Sequence, residues 1–279
     1  MSINAPNSRR NLDIAIDRIF KDQANPLQVR TIIANTIVAQ LLPNGAIKGG
    51  SSLRLRYGDK ITRFTRDLDT ARAEGLDEFL LKLEAALQEG WHEFAGRVVR
   101  KEPAKPKNVP GEYIMQPFEI KLSYHGKSWV TVPLEIGHDE VGDTKDADYY
   151  ISPDIVRMFE TLGLPVPKPV ALMPISHQIA QKLHALSEEG SERAHDLIDL
   201  QIIIKNEPLD FSLVKKACVR LFISRRMQKW PPNISKGSDW DSLYSSQVMN
   251  LDVFKTVDEA IIWVNRLVDS IDSAEDNGI

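Results

Sequence analysis

Two short motifs constrain this chain more than anything else in it. Gly49-Gly50-Ser51-Ser52 follows a short apolar run, Ala46-Ile47, and some sixteen residues after Ser51 comes Asp67-Leu68-Asp69. On an extended strand, residues i and i+2 share a face, so Asp67 and Asp69 converge while Leu68 enters a core. Two carboxylates on one face repel each other unless a cation lies between them. Hard oxygen ligands suit Mg²⁺, with Mn²⁺ as its alternative, and Mg²⁺ characteristically takes one or two carboxylates plus substrate phosphates. Gly49, Gly50 and Ser51 read as a turn from strand into a short helix beginning near Leu53 and Leu55. There the backbone N–H groups and hydroxyls would stand at a helix N-terminus, where a triphosphate is stabilised. A lone Asp-x-Asp is usually surface decoration, and a lone Gly-Gly-Ser is usually a turn. In this order, with a helix-sized insertion between them, they favour a nucleotidyltransferase palm. Its metals would activate the attacking hydroxyl and steady the pyrophosphate leaving group.

The surrounding pattern predicts an α+β fold: a first part with a mixed sheet and helices that carries this palm, followed by a helical C-terminal domain. Helical periodicity over Leu12–Leu42 predicts two helices, the second opened by Pro26 behind a capping Asn25. Asp77–Trp91 reads as an amphipathic helix and Phe94–Arg100 as a strand. Residues 101–111 read as a Pro- and Lys-rich loop. A hairpin is expected over Tyr113–Tyr124 and Ser128–Ile136, turning at His125-Gly126-Lys127. Residues 137–173, with several prolines, read as an irregular linker or lid. Helices are expected over 174–187, 192–205, 211–228, 240–249 and 257–272, giving domains of 1–165 and 166–279.

Bulk properties set the class. The chain has 279 residues, 42% of them hydrophobic and 27% charged, as in an ordinary globular protein. No apolar run is long enough to span a bilayer, and the start of the chain lacks the pattern of a secretory signal, so a cytoplasmic protein is expected. A single cysteine, Cys218, excludes an intramolecular disulfide and a Cys-based zinc cluster, and reads as a core residue. The formal net charge of -4 hides segregation. Basic residues dominate Lys48–Arg72, Arg97–Lys107 (Arg97, Arg100, Lys101, Lys105, Lys107) and Lys215–Lys229, and the last of these holds no acidic residue. Such surfaces can bind polyanions on a protein that is acidic overall, although any one of them can equally be a solvated face.

A second block lies in the helical half. Asp196 and Asp199 fall three apart on one helix face, with Arg193 one turn earlier, and Lys182 sits beside the apolar stripe Ile175, Ile179, Leu183 and Leu186 of the preceding helix. By itself this could be an ordinary salt bridge between helices. With the first block, the sequence resembles the AbiEii/AbiGii nucleotidyltransferase family, whose members often act as toxins of toxin–antitoxin or phage-abortive systems. The resemblance covers roughly residues 30–205. It rests on Ile47-Lys48-Gly49-Gly50-Ser51, on Arg63-Phe64-Thr65-Arg66-Asp67-Leu68-Asp69, on Lys182-Leu183-His184-Ala185-Leu186, and on Arg193-Ala194-His195-Asp196-Leu197-Ile198-Asp199-Leu200.

The resemblance implies catalytic roles for Asp67, Asp69, Lys182, Asp196 and Asp199. It implies nucleotide contacts from Lys48, Gly49, Gly50, Ser51, Thr65 and Arg193. Thr65 replaces the common Ser and keeps the hydroxyl, whereas His195 stands where Arg or Lys is usual, which puts one phosphate contact in doubt. The resemblance implies a polymerase-β-like nucleotidyltransferase palm, which also expects a third metal-binding carboxylate beside Asp67 and Asp69. Glu135 is the natural candidate, ahead of Glu119, while Asp139, Glu140 and Asp143 look like loop charges.

The expected activity is transfer of a nucleoside monophosphate from an NTP to a macromolecule. The resemblance points to the 3′ end of tRNA, or less often to a protein hydroxyl, with a possible cognate antitoxin. A small-molecule acceptor, as in antibiotic nucleotidyltransferases, and a catalytically silent nucleotide-binding module are the competing readings.

Overall fold

A computed structural model describes residues 4–21, 25–103, 114–140, 142 and 144–275. Lys105, Lys107, Tyr113 and Asp143 lie outside the described residues. The chain divides into two compact units. The first takes in the chain to Asp59, then Phe64–Asp139 and Thr144–Leu172; the second takes in Lys60–Arg63, Glu140–Asp143 and Met173 onward.

The first unit opens with two helices, α1 (Arg9–Phe20) and α2 (Pro26–Leu41). Pro26, whose missing N–H costs nothing in a first turn, begins α2, and Asn25 Oδ1 accepts from Leu27 N at 2.9 Å. Strand β1 (Gly45–Lys48) runs directly into α3 (Gly49–Tyr57). The helix therefore begins at Gly49, earlier than its apolar residues suggest, and Gly-Gly-Ser-Ser forms its first turn. Next come β2 (Leu68–Arg72), α4 (Leu76–Glu89), β3 (Phe94–Arg100), β4 (Gln116–Tyr124) and β5 (Lys127–His138). The β4–β5 turn uses His125 and Gly126 at φ 47° and 70°, the left-handed pair that a tight hairpin demands.

Residues 137–173 are not the irregular linker expected from their prolines. They hold β6 (Asp148–Tyr150), α5 (Pro153–Thr161) and β7 (Val170–Leu172). Ser152 caps α5, Pro153 supplies its first turn, and Ile155 and Phe159 bury one face. Here proline marks a helix start and the flanks of short strands rather than disorder.

The seven strands form one mixed sheet in the order β3-β4-β5-β2-β1-β7-β6. Its two faces differ in composition. Ile47, Leu68, Phe118, Ile120, Leu122, Leu134 and Ile136 are buried in a core shared with Leu12, Ile16, Ile33, Ile37, Phe79, Leu83, Ile155 and Phe159 of the helices. The alternate residues Lys48, Asp69, Glu119, Lys121 and Glu135 take the other face.

The second unit is helical: α6 (Ile175–Leu186), α7 (His195–Asn206), α8 (Phe211–Arg225), α9 (Trp240–Ser245) and α10 (Val257–Asp272). Asp210 caps α8, accepting from Ser212 N at 2.8 Å. Thr256 and Glu259 close a reciprocal capping box on α10. Cys218 is fully buried, as expected, and burial pushes its thiol well above the ordinary range. No helix among the described residues is long and apolar enough to cross a membrane.

Candidate active site

In the first unit, the carboxylates are positioned by backbone pairing. Lys48 pairs with Asp69 across the antiparallel β1–β2 ladder, and Asp69 pairs with Glu135 across the parallel β2–β5 ladder. Directly paired residues share a face, so Lys48, Asp69 and Glu135 form a row across three strands. Asp67 lies just before the first residue of β2, and its exposed carboxylate has no hydrogen bond or ion pair among the described residues. Glu119, the weaker candidate, is tied up elsewhere. Lys121 lies 2.7 Å and Lys101 3.4 Å from its carboxylate, and together they hold it below the usual range.

The segment leading into β2 is held by its carbonyl groups. Asn35 donates to the Arg66 carbonyl at 3.2 Å, and Arg54 to that of Thr65 at 3.2 Å, its guanidinium lying over the Phe64 ring. The buried Ser51 hydroxyl donates to the Asp67 carbonyl at 2.5 Å. That hydroxyl therefore spends its proton on placing Asp67, and the first turn of α3 retains its backbone N–H groups for a ligand. Thr65 Oγ1 is buried with no hydrogen-bond partner among the described residues.

Gly49 adopts φ +66°, where a side chain is strained, and any Cβ there would run into Asp69 Oδ2. The glycine thus lets the α3 backbone lie against the carboxylate. Lys48 is 8% exposed and has no ion pair among the described residues. Its ammonium lies 3.1 Å from where a Cβ on Gly137 would stand. A buried ammonium in a row with Asp69 and Glu135, with no ion pair among the described residues and next to the first turn of α3, is chemically suited to a polyanionic ligand.

Among the described residues, no three His, Cys, Asp or Glu side chains form a preformed metal cage. The donor set nevertheless fits Mg²⁺. Asp67 offers an exposed carboxylate with no hydrogen bond or ion pair among the described residues and Asp69 a half-buried one two residues on, and Mg²⁺ commonly takes one or two carboxylates and relies on substrate phosphates for the rest.

The second unit holds a buried charge cluster. Lys182 Nζ lies 2.7 Å from Asp196 Oδ1 and 2.7 Å from Asp199 Oδ2. Arg193 Nε reaches Asp196 Oδ2 at 2.9 Å, the one-turn spacing read from the sequence. Arg63 grips Asp199 with two hydrogen bonds of 2.9 and 3.0 Å. Burial alone would raise both carboxylates. Lys182 and Arg193 outweigh it at Asp196, and Arg63 and Lys182 outweigh it at Asp199, so both are held below their ordinary range.

Arg63 was not among the expected site residues, although it opens the segment that ends in Asp67-Leu68-Asp69. Its position in that motif was the available signal. Burial, the largest influence, lowers His195 to about 4, so the ring is neutral near pH 7 and does not replace the cation usual at its position. His184 is likewise lowered to about 4, first by burial and then by Arg225, which lies 3.2 Å from its Nδ1. Arg225 also clasps Glu140 at 2.8 and 2.9 Å, which makes Glu140 a buried partner rather than a loop charge.

A family model described as Nucleotidyl transferase AbiEii toxin, Type IV TA system, matches residues 13–263. Among solved structures, MenT4, a nucleotidyltransferase toxin from Mycobacterium tuberculosis, is similar at 16% identity and a TM-score of 0.51, over 93% of this chain and 97% of its own. JHP933 from Helicobacter pylori is similar at 15% identity and a TM-score of 0.45, over 88% of this chain and 90% of its own. No curated protein sequence matches at a significant level. With the family model spanning nearly the whole chain, and both of its motif blocks placed by the structure, the chain belongs to the AbiEii family of nucleotidyltransferase toxins of type IV toxin–antitoxin systems.

Proposed function

We propose that this nucleotidyltransferase moves a nucleoside monophosphate from an NTP to the 3′ end of tRNA, in the cytoplasm, under the control of a cognate antitoxin. The observation that carries the reading is the row of Lys48, Asp69 and Glu135, with Asp67 beside it and the first turn of α3 abutting Asp69. Asp67 and Asp69 would hold Mg²⁺, with Glu135 as the third carboxylate. The ion would lower the pKa of the attacking hydroxyl and neutralise charge on the leaving pyrophosphate.

The protein's own groups have separate tasks. Lys48 and the N–H groups of Gly49, Gly50 and Ser51 bind triphosphate oxygens, and the Thr65 hydroxyl donates to one of them. Ser51 in addition fixes the carbonyl of Asp67. Lys182, Asp196 and Asp199 are proposed as catalytic and Arg193 as a nucleotide contact. Here the supporting observation is a buried ammonium oriented by two ionised carboxylates.

The test is incubation of the protein with Mg²⁺, each radiolabelled NTP and total tRNA, beside Asp67→Asn. Label on RNA should fall on the order of 10²-fold or more in the variant, the loss typical when one preorganised electrostatic contact is removed from a transition state. The melting temperature should hardly change, because the Asp67 carboxylate has no hydrogen bond or ion pair among the described residues. RNA that stays unlabelled with every NTP would sink the tRNA reading.

A further inference from the structure

We infer that the outer face of β3–β4–β5 is the docking surface for the single-stranded, phosphate-rich end of the RNA acceptor; this rests on the acceptor reading above. Arg97 of β3 and Lys121 of β4 are direct cross-strand partners, so two cations stand opposite each other on one face. Like charges in that position destabilise a sheet. Arg97 is exposed and has no ion pair among the described residues. Lys121 shares the Glu119 carboxylate with Lys101. Among the described residues, three cations, Arg97, Lys101 and Lys121, thus surround one carboxylate, an excess of two positive charges at this end of the face.

The same face carries Glu135 and Asp69, since Glu119 and Glu135 alternate with buried core residues along β4 and β5. Strand spacing and rise place the Arg97–Lys121 pair roughly 17–20 Å from Asp69, a span that a few nucleotides cover. A phosphate backbone crossing the face would quench the like-charge pair and bring its terminal hydroxyl to the carboxylates. The neighbours Thr131 and Ser123 are hydroxyl-bearing, and Lys121 Nζ lies 3.2 Å from Thr131 Oγ1. Val99, Pro117 and Pro133 are the apolar residues paired on this face between Arg97 and Glu135, with no aromatic among them, whereas protein-docking surfaces centre on aromatic and large apolar groups, so the face favours nucleic acid over an acidic polypeptide.

The experiment measures binding of fluorescein-labelled deacylated tRNA to the full chain across a salt series, together with transfer activity. Arg97→Glu combined with Lys121→Glu should weaken binding at least tenfold and flatten the log–log salt slope by about 2, one per lost phosphate contact. Binding of the NTP should not change. Arg97→Lys combined with Lys121→Arg keeps both charges and should keep the affinity. Arg97→Glu alone turns a repulsive pair into an attractive one, so it should raise the melting temperature while lowering RNA affinity, a combination that a purely structural role does not produce. Lys82→Glu, on α4 against the opposite face, should leave RNA affinity as it is.

If the wild type labels RNA and the double reversal binds it with unchanged affinity and slope, the surface assignment is wrong and the acceptor reading stands. If the wild type neither binds nor labels RNA, the acceptor reading falls and this surface falls with it. Binding of polyglutamate through Arg97 and Lys121 in place of RNA would assign the face to a protein and overturn the inference.

Discussion

Replacing Lys182 with Met removes the ammonium but keeps most of the aliphatic volume. Lys182 is 5% exposed, Asp196 0% and Asp199 2%, so no solvent is at hand to replace the lost partner. Removing one member of a buried ion pair costs about 3–5 kcal/mol. The two carboxylates would not suffer equally. Asp199 keeps the two hydrogen bonds from Arg63, which is itself nearly buried, whereas Asp196 keeps Arg193, whose side chain is 52% exposed, and His195, whose ring lies 3.8 Å away and is neutral near pH 7. The loss should therefore sit near the lower bound, about 3 kcal/mol. At about 2–4 °C per kcal/mol, the melting temperature should drop by about 6–12 °C.

Urea and thermal unfolding followed by circular dichroism measure this directly. Adding Asp196→Asn should restore part of the loss, because the charge left behind is then gone. A loss below about 1 kcal/mol in the single variant, or a second substitution whose cost simply adds, would refute the account of the cluster as a desolvated, mutually dependent set. Acid titration gives an independent check. Both carboxylates have folded pKa values below the ordinary 3.8, so their stabilisation is complete above that value and is lost as the pH falls toward the folded ones. Without Lys182 the folded values rise, and this acid-dependent loss shrinks.

Gly137→Ala would place a methyl 2.7 Å from Met115 Sδ and 3.1 Å from Lys48 Nζ. Overpacking of this kind costs about 1–3 kcal/mol, and the displaced ammonium should raise the KM for NTP more than it lowers kcat, as steady-state kinetics would show. His184 and His195 are held neutral, near 4, in the folded chain and charge near 6.5 when exposed, so acidification favours unfolding. The urea midpoint should fall as the pH drops from about 6.5 toward 4, and a flat profile would contradict their burial. Arg225→Gln removes the paired guanidinium bonds from the buried Glu140 carboxylate and a cation from His184. Stability should fall by about 3 kcal/mol, and the imidazole pKa, followed by NMR titration, should rise without reaching its ordinary value, since burial persists.

Much of the architecture was legible because local patterns carried it. The two N-terminal helices, the amphipathic α4, the β4–β5 hairpin and the five C-terminal helices all follow from apolar periodicity and capping residues. Lys182, Asp196 and Asp199 were legible as neighbours because helix spacing fixes their faces. Residues 137–173 misled because β6 and β7 have three residues each, too short to show alternation, and because proline marks both loops and helix starts. The start of α3 was placed too late, since Gly49-Gly50 lowers helix propensity just where the chain needs a left-handed residue to leave β1.

By itself the sequence determined that Asp196 and Asp199 share a face of α7, and the alternation that separates core from open face in β4 and β5, whereas Asp67, expected on one strand with Asp69, lies just before β2. It also determined the family, through two motif blocks whose joint occurrence is specific. Only the tertiary structure decided that Glu135 lies beside Asp69, that Arg63 grips Asp199 across 136 positions of chain, that Lys48 is buried with no ion pair among the described residues, and that Arg97 faces Lys121. The reason is physical. Periodicity encodes the direction a side chain takes from its own backbone, whereas strand order and register arise from pairing between segments distant in sequence.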